Sequence, residues 1–144
     1  MKRILFICKH NLFRSRVAEI FFNKLNENKE YQSSSAGIIR YYKRDLKNDS
    51  GYEAEKNIAR RLFNIKLKVK SKSITSKILR KTNILIIVAD DVPVEIFETE
   101  KSFSGKIIVW KIPDVKKKDK NKEIVARNTI KFIEKKIKDL VNNL

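Results

Sequence analysis

One cysteine and one histidine stand among the 144 residues, and each scarcity closes off a class of function. A lone cysteine cannot form an internal disulfide framework, and such usage fits a reducing compartment, so a cytoplasmic protein is expected. A lone histidine argues against a metal cluster. No apolar stretch approaches the ~20 residues that a membrane-spanning helix needs. The start, Met1-Lys2-Arg3, leads into a brief apolar run with no small-residue cleavage site, which reads as a first strand and not as a signal peptide. Internal repeats, zinc-finger spacings, RNA-binding aromatic motifs and an interdomain linker are all missing. What is present suffices for one core: 42% of the residues are hydrophobic, and the length suits a single domain over residues 1–144.

Acidic residues are also scarce. Seventeen Asp and Glu stand against 34 Lys and Arg, a net charge of +17, which raises the question of nucleic-acid binding. The lysines are spread along the whole chain, and Ile and Asn are abundant with them, as a genome-wide bias in residue usage would produce. The excess is read as a solvated basic surface that attracts anionic substrates, and a nucleic-acid partner is disfavoured.

Four apolar segments read as buried strands: Ile4–Ile7, a weaker one leading into Ser33-Ser34-Ser35-Ala36-Gly37, Ile84–Val88 and Ile107–Trp110. Continuous apolar runs without polar alternation suit a parallel sheet covered on both faces. Helical spacing lies between them. It is seen in Val17, Ile20, Phe21 and Leu25, and in Ala54, Ile58, Ala59 and Leu62, which end near Asn64 as a left-handed cap. Short helices are expected over Ser76–Arg80 and after Pro93 through Val94 to Phe97. The clearest stripe is Ile130, Ile133, Ile137, Leu140, Val141 and Leu144. Ile38–Gly51 reads as a long loop and Lys116–Lys122 as an exposed connection. The alternation predicts an α/β, doubly wound fold: a four-stranded parallel sheet flanked by helices, with a phosphate-binding loop after the first strand.

That loop carries the chemistry. Cys8 ends the first apolar run, Arg14 and Ser15 follow six and seven positions later, and the first helical pattern begins at once. A helix N-terminus offers free N–H groups to an anion. The amides of residues 9 to 14 can turn inward as a nest around one tetrahedral oxyanion. Arg14 adds a planar fork, and Ser15, at or near the N-cap, can donate to the sulfur. All three favour thiolate over thiol at Cys8. A buried cysteine closing a strand is the bland alternative; Asn11 and Ser15 in this strand–loop–helix setting weigh against it.

The segment Phe6-Ile7-Cys8-Lys9-His10-Asn11-Leu12-Phe13-Arg14-Ser15-Arg16-Val17-Ala18-Glu19 resembles the signature of the low-molecular-weight protein tyrosine phosphatases, V-C-x-G-N-x-C-R-S-P-x-A-E. Thioredoxin-coupled arsenate reductases share that fold. Ser35-Ala36-Gly37, Ser71-Lys72-Ser73-Ile74 and Trp110-Lys111-Ile112-Pro113-Asp114 resemble later family segments in the same order, although only the first motif is sharply specific.

The resemblance implies roles. Cys8 is the nucleophile, Arg14 the phosphate clamp, and Ser15 the support for the leaving thiolate. Asn11 holds the loop, with Ser35 as partner. Asp114 is the general acid and then the base; on the bare sequence, an Asp after Pro reads as a turn residue. Lys9, His10, Asn11, Leu12 and Phe13 would surround the substrate. The mechanism requires no metal or other cofactor. Partners are a phosphorylated protein or small phosphate ester, with inorganic phosphate as product, and no membrane.

Departures narrow the reading. His10 stands in place of Gly, and would be strained if that position needs positive φ. Phe13 replaces a second loop cysteine, Arg16 replaces Pro, Val115 replaces the Pro after the acid, and Lys116 stands where aromatic residues grip a phenyl ring. Tyr41 and Tyr42 are candidate aromatic walls, and equally readable as half-buried loop tyrosines. Leu12 leans toward phosphotyrosine, since phosphoarginine-acting relatives tend to carry Thr there. Asp90-Asp91 reads as a helix-capping pair and not as a magnesium site. The expected function is a phosphatase acting through a cysteinyl-phosphate on phosphotyrosine or aryl phosphates. The alternatives are an arsenate reductase using an external thiol and a catalytically weak phosphate- or phosphoprotein-binding module.

Overall fold

The computed structural model describes residues 1–39, 49–67, 70–116 and 118–144. Four strands, β1 (Lys2–Cys8), β2 (Tyr31–Gly37), β3 (Ile84–Val88) and β4 (Lys106–Trp110), form one sheet in the order β2-β1-β3-β4. Every pairing is parallel. The helices are α1 (Arg14–Leu25), α2 (Ser50–Phe63), α3 (Ser76–Arg80), α4 (Glu95–Glu98) and α5 (Lys122–Asn142).

Strand periodicity divides the core. Ile4 and Phe6 of β1 face one side with Ile86 and Val88 of β3, and there they meet Val17, Phe21 and Phe22 of α1, Ile58 and Ala59 of α2, and Ile130, Ile133 and Ile137 of α5. Leu5, Ile7, Leu85 and Ile87 face the other side, against Leu79, Phe97 and Phe103. Both faces are covered, which is why β1 and β3 read as unbroken apolar runs.

Three boundaries differ from the sequence reading. Helix α2 starts at Ser50, so Gly51 is helical and not part of a loop; Asp49 caps it, accepting from the Tyr52 N–H at 3.0 Å. Leu62 is 52% exposed, because the buried stripe turns from Ala59 into Ile65 beyond the left-handed Asn64 (φ 53°). Lys122 opens α5 and so belongs to the helix.

The sheet order matters for function. From β1 the chain moves outward to β2 on one side, while β3 lies on the other. The carboxyl ends of β1 and β3 therefore flank a topological switch point, where open α/β sheets leave a crevice. Cys8 is the last residue of β1. Among the described residues, no helix is long and apolar enough to cross a membrane.

Candidate active site

The loop from Cys8 to Ser15 forms the floor of a cavity of about 50 Å³ lined by Cys8, His10, Leu12, Phe13 and Arg14 on this side. The Cys8 sulfur lies 3.0 Å from Ser15 Oγ and accepts the Asn11 N–H at 3.3 Å. Three successive loop carbonyls are engaged away from the cavity. Lys9 O accepts from Ile39 N (2.9 Å), His10 O from Ser71 Oγ (2.6 Å) and Asn11 O from Arg16 Nε (2.8 Å). Tying the carbonyls outward turns the loop's N–H side inward, as the Asn11 amide shows, and that is the polarity an anion requires.

Asn11 is the keystone of this floor. It is wholly buried and takes the left-handed conformation (φ 56°) that Asn tolerates better than most residues. Its Nδ2 donates to Ser15 Oγ (2.8 Å) and Ser35 Oγ (3.0 Å), and its Oδ1 accepts from Lys72 N (3.1 Å). Ser35 in turn donates to Glu19 Oε1 at 2.8 Å. The positive φ thus falls at Asn11, not at His10, so the histidine in place of glycine carries no backbone strain. Gly37, at the end of β2, lets the loop close. A Cβ there would sit 2.8 Å from His10 C and 2.9 Å from Asn11 N and Lys9 O, all backbone atoms.

Arg14 is 2% exposed. Nη1 donates to Ile112 O at 2.8 Å, and Nη2 lies 3.1 Å from Asp91 Oδ1 and 3.9 Å from Asp114 Oδ2. Burial opposes its charge, but Asp114, Cys8 and Asp91 outweigh that and hold it above its ordinary value. The capping role expected for Asp90-Asp91 is not what the structure has. Val94 is the N-cap residue of α4 and makes no side-chain cap bond, whereas Asp91 orients Arg14. Ser15 lies one residue inside α1, whose N-cap is Phe13, so its hydroxyl serves the sulfur and Asn11 and not the helix end.

A sulfur, a guanidinium and a carboxyl on one cavity, below a helix N-terminus and at a sheet's switch point, invite comparison with known proteins. A sequence model described as "Low molecular weight phosphotyrosine protein phosphatase" matches residues 3–144. The chain belongs to the low molecular weight phosphotyrosine protein phosphatase family. The fold agrees. A low molecular weight protein tyrosine phosphatase from T. tengcongensis superposes with a TM-score of 0.71 at 19% identity, covering 100% of both chains. An arsenate reductase from Archaeoglobus fulgidus gives 0.67 at 24%, covering 96% of this chain and 98% of that one. An arginine phosphatase from Geobacillus stearothermophilus gives 0.65 at 16%, covering 99% and 92%. No curated protein sequence matches the chain.

Within this family setting the second side of the cavity is built by Asp49, Tyr52 and Glu55 of the α2 region and by Asp114 and Val115 after β4. Asp114 Oδ1 accepts its neighbour's Val115 N–H at 3.0 Å, leaving the carboxyl 37% exposed beside Arg14. Leu12 packs on Tyr52 as one apolar wall. Burial, then the charge of Glu55, raises the Tyr52 phenol. Burial lowers His10 below its ordinary value, Lys9 acts in the same sense, and Asp114 opposes it.

Of the residues expected around a substrate, His10, Leu12 and Phe13 line the cavity, whereas Lys9 and the Asn11 side chain are not part of its lining. Tyr41 and Tyr42 lie outside the described residues. Arg16 Nε donates to the Asn11 carbonyl, and the Lys116 backbone N–H donates to Asp119 Oδ2. Tyr52 and Glu55 line the candidate site and were missed by sequence reasoning. The signal for Glu55 was a carboxylate falling within the stripe Ala54, Ile58, Ala59. Among the described residues no group of three or more His, Cys, Asp and Glu could hold a metal ion.

Proposed function

We propose that this protein is a metal-independent phosphomonoesterase that acts through a cysteinyl-phosphate, with a preference for aryl phosphates such as phosphotyrosine. The observation that carries the reading is the convergence of Cys8 Sγ, Arg14 and Asp114 on one small cavity, with Arg14 within 3.9 Å of the acid. The Leu12–Tyr52 wall supports an aryl leaving group, because an apolar face beside the anion site rewards a flat ring.

In this reading the phosphate dianion lies against the loop amides and the Arg14 fork. The Cys8 thiolate attacks phosphorus in line, the P–O bond to the leaving group breaks, and the Asp114 proton goes to the departing oxygen. In the second step Asp114 takes a proton from water, whose oxygen attacks the phosphocysteine. The S–P bond breaks and the Ser15 hydroxyl bonds the returning thiolate. Inorganic phosphate leaves.

The test is hydrolysis of p-nitrophenyl phosphate and of a phosphotyrosine peptide without added metal. Wild type should turn over, and Cys8→Ser should lower kcat by ~10³-fold or more. Asp114→Asn should lower it by about 10²–10⁴-fold. Phosphate binding with no wild-type turnover would overturn the reading in favour of a binding module. A second reading, arsenate reduction, is supported by the fold shared with the Archaeoglobus fulgidus enzyme. With a single cysteine in the chain, the two electrons that convert arsenate to arsenite would have to come from an external thiol. Arsenate-dependent oxidation of glutathione, lost in Cys8→Ser, would place the protein there.

A further inference from the structure

Glu55 is the only buried carboxylic acid among the described residues, at 5% exposure, and it opens on the same cavity as Cys8 and Asp114. Its carboxyl comes within hydrogen-bonding reach of Asp114's on that cavity, while Oε2 has no hydrogen-bond partner. The charged and titratable groups facing it come from three elements: Arg14 at the start of α1, Asp49 and Tyr52 at the start of α2, and Asp114 after β4. Burial pushes the Glu55 acid well above its ordinary value, the Asp114 charge adds to that, and Arg14 only partly opposes it. Two carboxyls this close cannot both ionise cheaply, so the pair retains a proton that a lone surface acid would lose.

We propose that Glu55 is a positioning residue that shares one proton with Asp114 and resupplies that carboxyl with the proton it hands to the leaving oxygen. The proposal rests on the phosphatase reading above. The proton resides on Glu55, whose O–H donates to the Asp114 carboxylate. When the substrate P–O bond breaks, that proton passes along the hydrogen bond to Asp114 and on to the departing oxygen. The pair then carries two negative charges instead of one, and Cys8, now bonded to phosphorus, has lost its own. The cavity's total charge is unchanged; the negative charge has moved from the sulfur to the carboxyl pair, with Arg14 lying beside both (3.9 Å from Asp114). Water attack reverses the transfer, its proton returning to the pair as the thiolate is regenerated. A single acid at Asp114 would lack the stored proton and lose acid function at lower pH.

Three measurements on the full chain test this. The first is the pH profile of kcat/KM for p-nitrophenyl phosphate in wild type, Glu55→Gln and Glu55→Met. Gln keeps the size and a hydrogen-bond donor but holds no exchangeable acid. Both variants should lose the alkaline limb about one pH unit or more below wild type, roughly tenfold in rate at that pH, and converge with wild type at acidic pH. A Gln variant that restores the wild-type limb would mean that Glu55 acts through packing and hydrogen bonding alone, and would overturn the proposal. The second is ¹³C-carboxyl NMR titration of Asp114, a readout independent of turnover. Its last deprotonation should move to lower pH in Glu55→Gln, and an unmoved curve overturns the proposal.

The third is Tm against pH. A carboxyl raised in the folded state makes the native protein hold its proton more tightly than the unfolded chain. Wild-type stability should therefore fall as pH rises from the ordinary 4.5 toward the folded value, and Glu55→Gln should lack that fall. Parallel curves would overturn the proposal. Wild type inactive at every pH would sink the phosphatase reading, while the NMR and melting curves would still decide whether the proton is shared.

Discussion

The cavity has a floor and a wall, and they are built on opposite principles. The floor, Cys8 to Ser15, is tied together by hydrogen bonds inside the protein, with the carbonyls of Lys9, His10 and Asn11 all engaged. Asn11 alone makes three side-chain hydrogen bonds, to Ser15, Ser35 and Lys72. The wall, from the start of α2, buries two polar atoms without partners, Tyr52 Oη and Glu55 Oε2. A saturated network has one low-energy arrangement, and a loop that must present amides to an oxyanion needs that rigidity. Unpartnered buried groups cost stability and are retained where chemistry or a ligand uses them. In the proposed phosphatase the floor would serve oxyanion recognition, and the wall would set proton supply and substrate shape.

Removing the floor's keystone should break that division most severely. Asn11→Ala deletes three hydrogen bonds and forces Ala into positive φ, at a combined cost of ~3 kcal/mol or more. It also frees Ser15, which touches the sulfur. Expected results are a drop in chemical-denaturation midpoint and a kcat lower by about 10²-fold, because misplacing the reacting groups by an ångström has that effect. Full activity with lowered stability would show that the floor needs no such keystone.

Gly37→Ala tests the same floor from beneath. Its new methyl would lie 2.8–2.9 Å from three backbone atoms of residues 9 to 11, and backbone cannot swing aside as a side chain can. Overpacking of this kind costs about 1–3 kcal/mol, and the displaced loop should lower kcat by roughly tenfold with a smaller change in KM. Expression, melting temperature and steady-state kinetics on one preparation separate the two effects.

How much was legible beforehand follows the same division. The floor is contiguous: thiol, arginine and serine lie within eight residues between an apolar run and a helical pattern, so local rules sufficed. The fold was legible for a related reason, since strands covered on both faces have no polar alternation to obscure them. The supports of the floor were less visible. Ser71 and Lys72 reach it from 61 residues away, and Ile112 receives Arg14 across 98. Such partners are set by sheet topology, not by spacing. Asp91 looked like a cap because strand-end acids before a helix usually are, and only the crossing of β3 past β1 brings it to Arg14. Glu55 was hidden for the opposite reason, being a charged residue in an apolar stripe that periodicity treats as an interruption.

The mildest perturbation concerns the wall's other unpartnered atom. Tyr52 is 3% exposed, its ring packs on Leu12, and its hydroxyl has no hydrogen-bond partner. Deleting a buried, unbonded hydroxyl removes a desolvation cost while keeping the ring, so Tyr52→Phe should be neutral or stabilising by up to ~1 kcal/mol. For aryl phosphates kcat should stay within about twofold, since the ring supplies the apolar contact. If instead KM rises about tenfold at unchanged kcat, the hydroxyl bonds the substrate in both ground and transition states. The wall would then be a recognition surface with a defined polar contact, and that contact would account for the unbonded Tyr52 hydroxyl.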